Sequence, residues 1–287
     1  MKNKDFTAFI LSHGRANNVI TYDTLKKCGY TGKIILIIDD EDEQQDEYIK
    51  NFGKEYIYIF HKDNVKFDLM TNEKKDKRAI VWARNVCFKA ARDLGVKYFI
   101  ELDDDYTEFS FTYSPKGEFK QKHLTNLDKV FDVFLDFYIK NKRIKSIAFC
   151  QRGDFIGGKG NGIITKHQWK RKAMNSFICA TDREFEFKGK INEDVNTYVG
   201  LGNKGELFFS VPDVALNQVQ TQQNEGGMSD IYLLKGTYYK SFYSVMILPS
   251  AVKISTMGYI EKRIHHKINW NNTVPKILKE EVKTLQT

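Results

Sequence analysis

Two hydrophobic periods alternate through the first 150 residues of this chain, and that alternation constrains its fold more than any other feature. Short aliphatic or aromatic runs at 6–11, 33–38, 56–60, 97–102 and 145–150 have the length and composition of buried strands. Between them, apolar residues recur at helical spacing. Ile20, Leu25 and Cys28 form one such set, with Asn17 as the expected cap and Gly29 as the stop. A short helix is expected over 46–52, and a longer one carries Ile80, Ala83, Cys87, Ala90, Ala91 and Leu94 up to Gly95. The next carries Leu127, Val130, Phe131, Phe134, Leu135 and Tyr138. Strand, helix, strand repeated in this way implies an α/β fold with a mostly parallel central sheet flanked by helices. One segment breaks the alternation: 107–113, a turn at 114–117, and 118–121 read as a β-hairpin.

The second half is looser. Five glycines crowd 153–162, a strand is expected at 206–211, helices at 193–201 and 275–285, and a polar stretch at 218–229. Neither a repeat nor a linker divides the chain, so one domain over 1–287 is expected. Aromatic residues make up 14%, enough apolar area for a sizeable core, which excludes an intrinsically disordered chain. No apolar run approaches the roughly 18–20 residues that span a bilayer. The longest, 243–252, has ten residues and contains Pro249. The opening apolar run is too short for a secretory signal, so a cytoplasmic protein is expected. Cys28, Cys87, Cys150 and Cys179 lie far apart with no Cys-x-x-Cys pair, which favours core packing over a zinc or redox site. The net charge of +8 gathers in two segments, 152–172 (net +5) and 253–287 (net +4). Two basic regions on a nearly neutral body suit a polyanionic partner; a solvated lysine-rich surface is the plain alternative.

Asp103, Asp104 and Asp105 follow the fourth expected strand. Ligands of open α/β sheets gather at the carboxyl ends of strands. A side-chain period of two lets Asp103 and Asp105 point the same way. Two carboxylates on one face repel unless a cation lies between them. Such hard oxygen ligands suit Mg²⁺ or Mn²⁺ shared with substrate phosphates. Asp39, first after the second strand, can accept from ribose hydroxyls or a base. In Ser12-His13-Gly14-Arg15, Gly14 permits an unusual turn and Arg15 can reach a phosphate, while His13 also fits an ordinary surface loop. Arg84, midway along an apolar helix, needs a diphosphate or a carboxylate if buried, and otherwise faces solvent. Lys159 is followed by Gly160, so the glycine-rich stretch is not a Walker loop. Glu193 and Asp194 stand at an expected helix start. One can be a general base, and both also suit the helix dipole. His265 and His266, among Lys262, Arg263 and Lys267, fit a metal shell, a phosphate or a basic surface.

With these residues in place, the chain resembles the TET-associated glycosyltransferases, a GT-A-like family. The resemblance rests on 9–15, on 32–34 through Asp39, on Ala83-Arg84-Asn85, on Leu102-Asp103-Asp104-Asp105-Tyr106, on Ile191-Asn192-Glu193-Asp194 and on Arg263-Ile264-His265-His266. It implies a nucleotide-sugar-binding half over 1–150 and an acceptor-binding half over 151–287. Ser12, His13, Arg15, Asp39, Arg84, Asp103 and Asp104 would serve the donor, a UDP-sugar. Asp103, Asp105 and one of His265 and His266 would hold Mn²⁺ or Mg²⁺. Glu193 or Asp194 would be catalytic. The acceptor it implies is a hydroxymethylated pyrimidine in DNA, including bacteriophage DNA within the infected host. Arg152, Lys159, Lys166, Trp169, Lys170 and Arg171 are then candidate DNA contacts, with a structural helix face around Trp169 as the alternative. Two rival readings remain: a GT-A enzyme acting on a protein, glycan or small molecule, and a non-catalytic nucleic-acid-binding relative.

Overall fold

A computed structural model describes residues 3–68, 80–113, 118–155, 170–219, 228–257 and 262–273, with backbone alone for 228–237 and 257. Nine strands form one sheet: β1 (Phe6–Leu11), β2 (Lys33–Asp39), β3 (Ile57–Phe60), β4 (Tyr98–Asp103), β5 (Tyr106–Tyr113), β6 (Lys120–His123), β7 (Ile144–Gln151), β8 (Ser176–Ala180) and β9 (Leu207–Gln218). Their order is β3-β2-β1-β4-β8-β7-β9-β5-β6. The helices are α1 (Ile20–Lys27), α2 (Gln45–Phe52), α3 (Val81–Asp93), α4 (Leu127–Lys140), α5 (Glu193–Asn203) and α6 (Met228–Ile247). A separate pair, β10 (Val252–Met257) and β11 (Arg263–Ile268), packs beside α6.

The expected parallel core is present: β2 and β4 flank β1 in parallel, and β3 extends the set beyond β2. β1 is buried along its whole length, because both faces of such a sheet are covered and the strand must be apolar throughout. Its alternate residues feed two cores. Phe6, Ala8 and Ile10 pack with Leu25 of α1 and with Leu127, Phe131 and Leu135 of α4. Phe9 and Leu11 pack with Val86, Cys87 and Ala90 of α3 and with Val195 and Val199 of α5. All four cysteines are buried and free. The hairpin also forms, as β5 against β6. Among the described residues, no helix is long and apolar enough to cross a membrane.

The sheet is less uniformly parallel than the alternation implies. β8 lies antiparallel between β4 and β7, and β5 is antiparallel to β9. Five residues, Ser176–Ala180, complete the sheet between β4 and β7 without any helical spacer that would announce a strand. The polar stretch at 218–229 gives way to helix α6 from Met228, and β9 runs on to Gln218. Asn17 does not cap α1. Val19 occupies that position with no side-chain bond, because Asn17 donates to Glu47 and accepts from Asn51 of α2. α4, by contrast, has a side-chain cap, Asn126 accepting from Lys129 N at 3.1 Å. The turn at 114–117, most of the glycine-rich stretch and the expected helix at 275–285 lie outside the described residues.

Candidate functional site

The parallel strands β1, β2 and β4 deliver Ser12, Asp39 and Asp103 to one rim of the sheet. Around β1 and β2 the acids are fully engaged. Asp39 bonds His13 Nδ1 at 2.8 Å and Lys62 Nζ at 2.9 Å. Burial pushes its carboxyl up, but His13 and Lys62 outweigh that and hold it below the usual carboxylate range. The bond to Asp39 in turn raises His13. Asp42 accepts from Gly14 N at 2.8 Å, which fixes a turn where Gly14 takes φ +66°.

A chain of hydroxyls links this loop to the aspartate motif. Arg15 N donates to Tyr48 Oη at 2.9 Å. Ser12 Oγ lies 2.7 Å from Tyr48 Oη and 2.7 Å from Asp104 Oδ2. The carboxylate can only accept, so Ser12 donates to it and Tyr48 donates to Ser12. Arg15 closes the loop with Nη1 at 2.5 Å from Asp104 Oδ1. Asp104 is therefore buried and turned inward.

Asp103 faces a different partner. Arg84, only 1% exposed, donates from Nη2 to Asp103 at 2.8 Å and from Nε to Glu193 at 3.0 Å. Its guanidinium lies over the rings of Phe177 and Phe187. Nη1 stands 3.8 Å from Glu101 Oε2, too long for a hydrogen bond. Here burial dominates. It pushes Glu101 up to about 8 and Asp103 up to about 6 despite Arg84. Asp105 is pushed up to about 7 by burial and then by Asp103 and Asp104. Its Oδ1 is buried without a hydrogen-bond partner.

The N-terminus of α5 supplies the other acids. Asn192 takes φ +53°, a left-handed conformation that Asn tolerates. Its amide donates to Lys240 O at 2.8 Å and to Ser244 Oγ at 3.1 Å, fastening the turn to α6. This kink delivers Glu193 to Arg84. Asp194 beside it is pushed up to about 7 by burial and by Glu193.

The structure revises several sequence expectations. Arg84 is enclosed and bonded to Asp103 and Glu193, so the partner its place on an apolar helix calls for is a pair of carboxylates. Asp104 and Ser12 are buried and bonded to each other. His265 and His266 stack on each other, and burial holds both below the usual imidazole range, helped by Arg263, Lys240 and Lys172 for His265 and by His265, Lys240 and Lys172 for His266. Among the described residues, no group of three or more His, Cys, Asp or Glu side chains is arranged to hold a metal ion, so the set Asp103, Asp105, His265 and His266 does not assemble. Lys170 and Lys172 pair with buried Asp154 instead of facing outward, while Arg152 and Arg171 are exposed. Lys159, Lys166 and Trp169 lie outside the described residues. Sequence reasoning missed Tyr48, Lys62 and Glu101, and gave Asn192 no part beyond its place in the Ile191-Asn192-Glu193-Asp194 motif. Glu101 carried a signal, being a lone charge inside an otherwise apolar strand.

The carboxylates do fit a divalent cation of one kind. Mg²⁺ and Mn²⁺ take oxygen ligands, and Mg²⁺ is commonly held by one or two carboxylates plus substrate phosphates. The unpartnered Asp105 oxygen beside Asp103 offers that minimal set. A cavity of about 230 Å³ lies elsewhere, between α1 and β5, lined by Asn17, Asp23, Lys27, Thr107 and His123 among others and by none of these acids.

A family model described as TET-associated glycosyltransferase matches residues 6–227. No curated protein matches the sequence. Among solved structures, S. aureus TarS 1-349 is similar at 11% identity and a TM-score of 0.43, over 75% of this chain and 60% of that one. GalNAc-T7 with UDP, GalNAc and Mn²⁺ is similar at 9% identity and a TM-score of 0.38, over 75% of this chain and 44% of that one. The chain thus spans less than two thirds of either structure's length.

Proposed function

Since the chain belongs to the TET-associated glycosyltransferase family, and is on that ground a glycosyltransferase, we propose that it moves a sugar from a UDP-sugar to the hydroxyl of a hydroxymethylated pyrimidine in DNA. The observation that carries the donor side is the buried, unpartnered oxygen of Asp105 beside Asp103. Asp105, with Asp103, would hold Mn²⁺ or Mg²⁺. When bound, that cation offsets the charge that grows on the leaving diphosphate.

The chain's own residues set the rest. Arg84 fixes Asp103 and Glu193 relative to each other, so the donor acids and the acceptor acids keep one spacing. His13 and Asp39 form the wall toward the base and ribose, with Lys62 holding Asp39 ionised. Asp194 receives the acceptor hydroxyl's proton, a task suited to a carboxyl raised toward neutrality. Glu193, bound by Arg84, orients that end of α5. A pyrimidine within a duplex must leave the stack to present its hydroxymethyl group. The exposed Arg152 and Arg171 and the basic 253–287 segment suit the DNA backbone. In this reading 1–150 serves the donor and 151–287 the acceptor.

A thermal-shift series tests the donor side. The wild-type chain should be stabilised by a UDP-sugar together with Mn²⁺, and Asp105→Ala should lose that shift with its fold intact. Transfer of labelled sugar to hydroxymethylated but not unmodified DNA tests the acceptor. Transfer to protein or glycan alone would replace it.

A further inference from the structure

The hairpin after the aspartate motif carries a surface that the site above does not use. In the β5–β6 pairing, Phe111 is opposite Lys122 and Tyr113 is opposite Lys120. Residues two apart share a face of a strand, and directly opposed cross-strand partners share it too. Phe111, Tyr113, Lys120 and Lys122 therefore stand together. Phe111 is 42% exposed and Tyr113 39%. Their rings lie 5.9 Å apart with planes 21° from parallel, so they form one flat apolar step. The step sits at the sheet's margin, since β6 is the outermost strand of the order. Both lysines are exposed, and Lys120 also reaches the exposed Glu118 at 3.4 Å.

Lysines on an edge strand by themselves discourage sheet-to-sheet pairing. Two exposed stacked rings beside them work against that purpose. The combination suits one partner chemistry: bases stack on the rings while lysines neutralise phosphates. An apolar peptide would strip water from two ammonium groups, and an acidic peptide would leave the rings unused. We propose that Phe111, Tyr113, Lys120 and Lys122 form a stacking platform for an unpaired stretch of nucleic acid. Unpaired strands are required because stacking on a side chain needs an open base face. Phe111 lies six residues beyond Asp105, which immediately precedes β5, so the two are about 20 Å apart, or about six nucleotide steps. The platform rests on the acceptor reading only for the identity of the polymer as DNA, and it holds strand flanking the modified base.

Fluorescence anisotropy of a labelled single-stranded oligodeoxynucleotide, titrated with the full chain, tests this. Phe111→Leu and Tyr113→Leu should each weaken binding about ten-fold, while Phe111→Tyr keeps it. Lys122→Ala should lower the slope of log affinity against log salt by about 0.7. The platform variants should keep the thermal shift from UDP-sugar and Mn²⁺, so failure here leaves the donor reading standing. The proposal is overturned by wild-type affinity in the double Leu variant, by equal losses in Phe111→Tyr and Phe111→Leu, or by no binding at all. It is also overturned by a solution dimer that the Leu variants dissociate, which would make the hairpin a contact between copies.

Discussion

Two stretches of the same rim treat their acids in opposite ways. Around β1 and β2, Asp39 and Asp42 each meet a cation or a hydrogen-bond donor, His13 with Lys62 and Gly14 N, and the loop after β1 reaches over to pair Asp104, just beyond β4, with Arg15 and Ser12. Around β4 and α5, Arg84 is shared among Glu101, Asp103 and Glu193, while Asp105 and Asp194 are raised to about 7. The first stretch is complete as it stands and can serve as a fixed wall. The second holds more negative charge than its own cations offset, which is the electrostatic setting a divalent ion or an entering proton relieves.

Four experiments probe that contrast, in falling order of effect. Arg84→Met should strip the crowded side of its shared cation and cost about 3–5 kcal/mol in urea unfolding, because it leaves buried carboxyls uncompensated. Asp105→Asn should lower sugar transfer at least about a hundred-fold, or about 2.7 kcal/mol, while leaving the stability of the metal-free chain equal or higher. A large loss of metal-free stability in Asp105→Asn would mean that Asp105 is already paired. Third, Glu101 and Asp194 bind their protons more tightly folded than unfolded. Their contribution is complete below the unfolded values near 4 and is lost as pH rises through about 7 to 8, so metal-free stability should fall across that window. Asp194→Asn should flatten the fall between about 4 and 7, and transfer should rise through about 7 if Asp194 is the base. On the satisfied side, Tyr48→Phe should cost only about 1–2 kcal/mol, because it removes the two hydrogen bonds that the hydroxyl makes, accepting from Arg15 N and donating to Ser12 Oγ. A larger loss there than in Arg84→Met would invert the contrast.

Much of the fold could be read from the chain because β1, β2 and β4 are buried on both faces and so must be continuous apolar runs. The placement of Asp39 and of Asp103 to Asp105 followed, since strand ends fix what comes after them. What escaped was whatever depends on contact across elements. β8 is five residues that pair antiparallel with β4, and nothing in their local pattern separates them from a loop. Tyr48 meets Ser12 across 36 positions, and Lys62 meets Asp39 across the β2–β3 pair; neither carries a periodicity of its own. Arg84 was recognised as needing a carboxylate, but not as joining two of them.

That junction has a practical corollary for engineering. Asp103 and Glu193 come from opposite halves of the chain, yet one guanidinium ties them. A chimera that borrows its 151–287 portion from another protein must bring an acid to the place of Glu193. Without one, Nε of Arg84 would be left bare in the interior, and the exchange would disturb Asp103 across the chain as well.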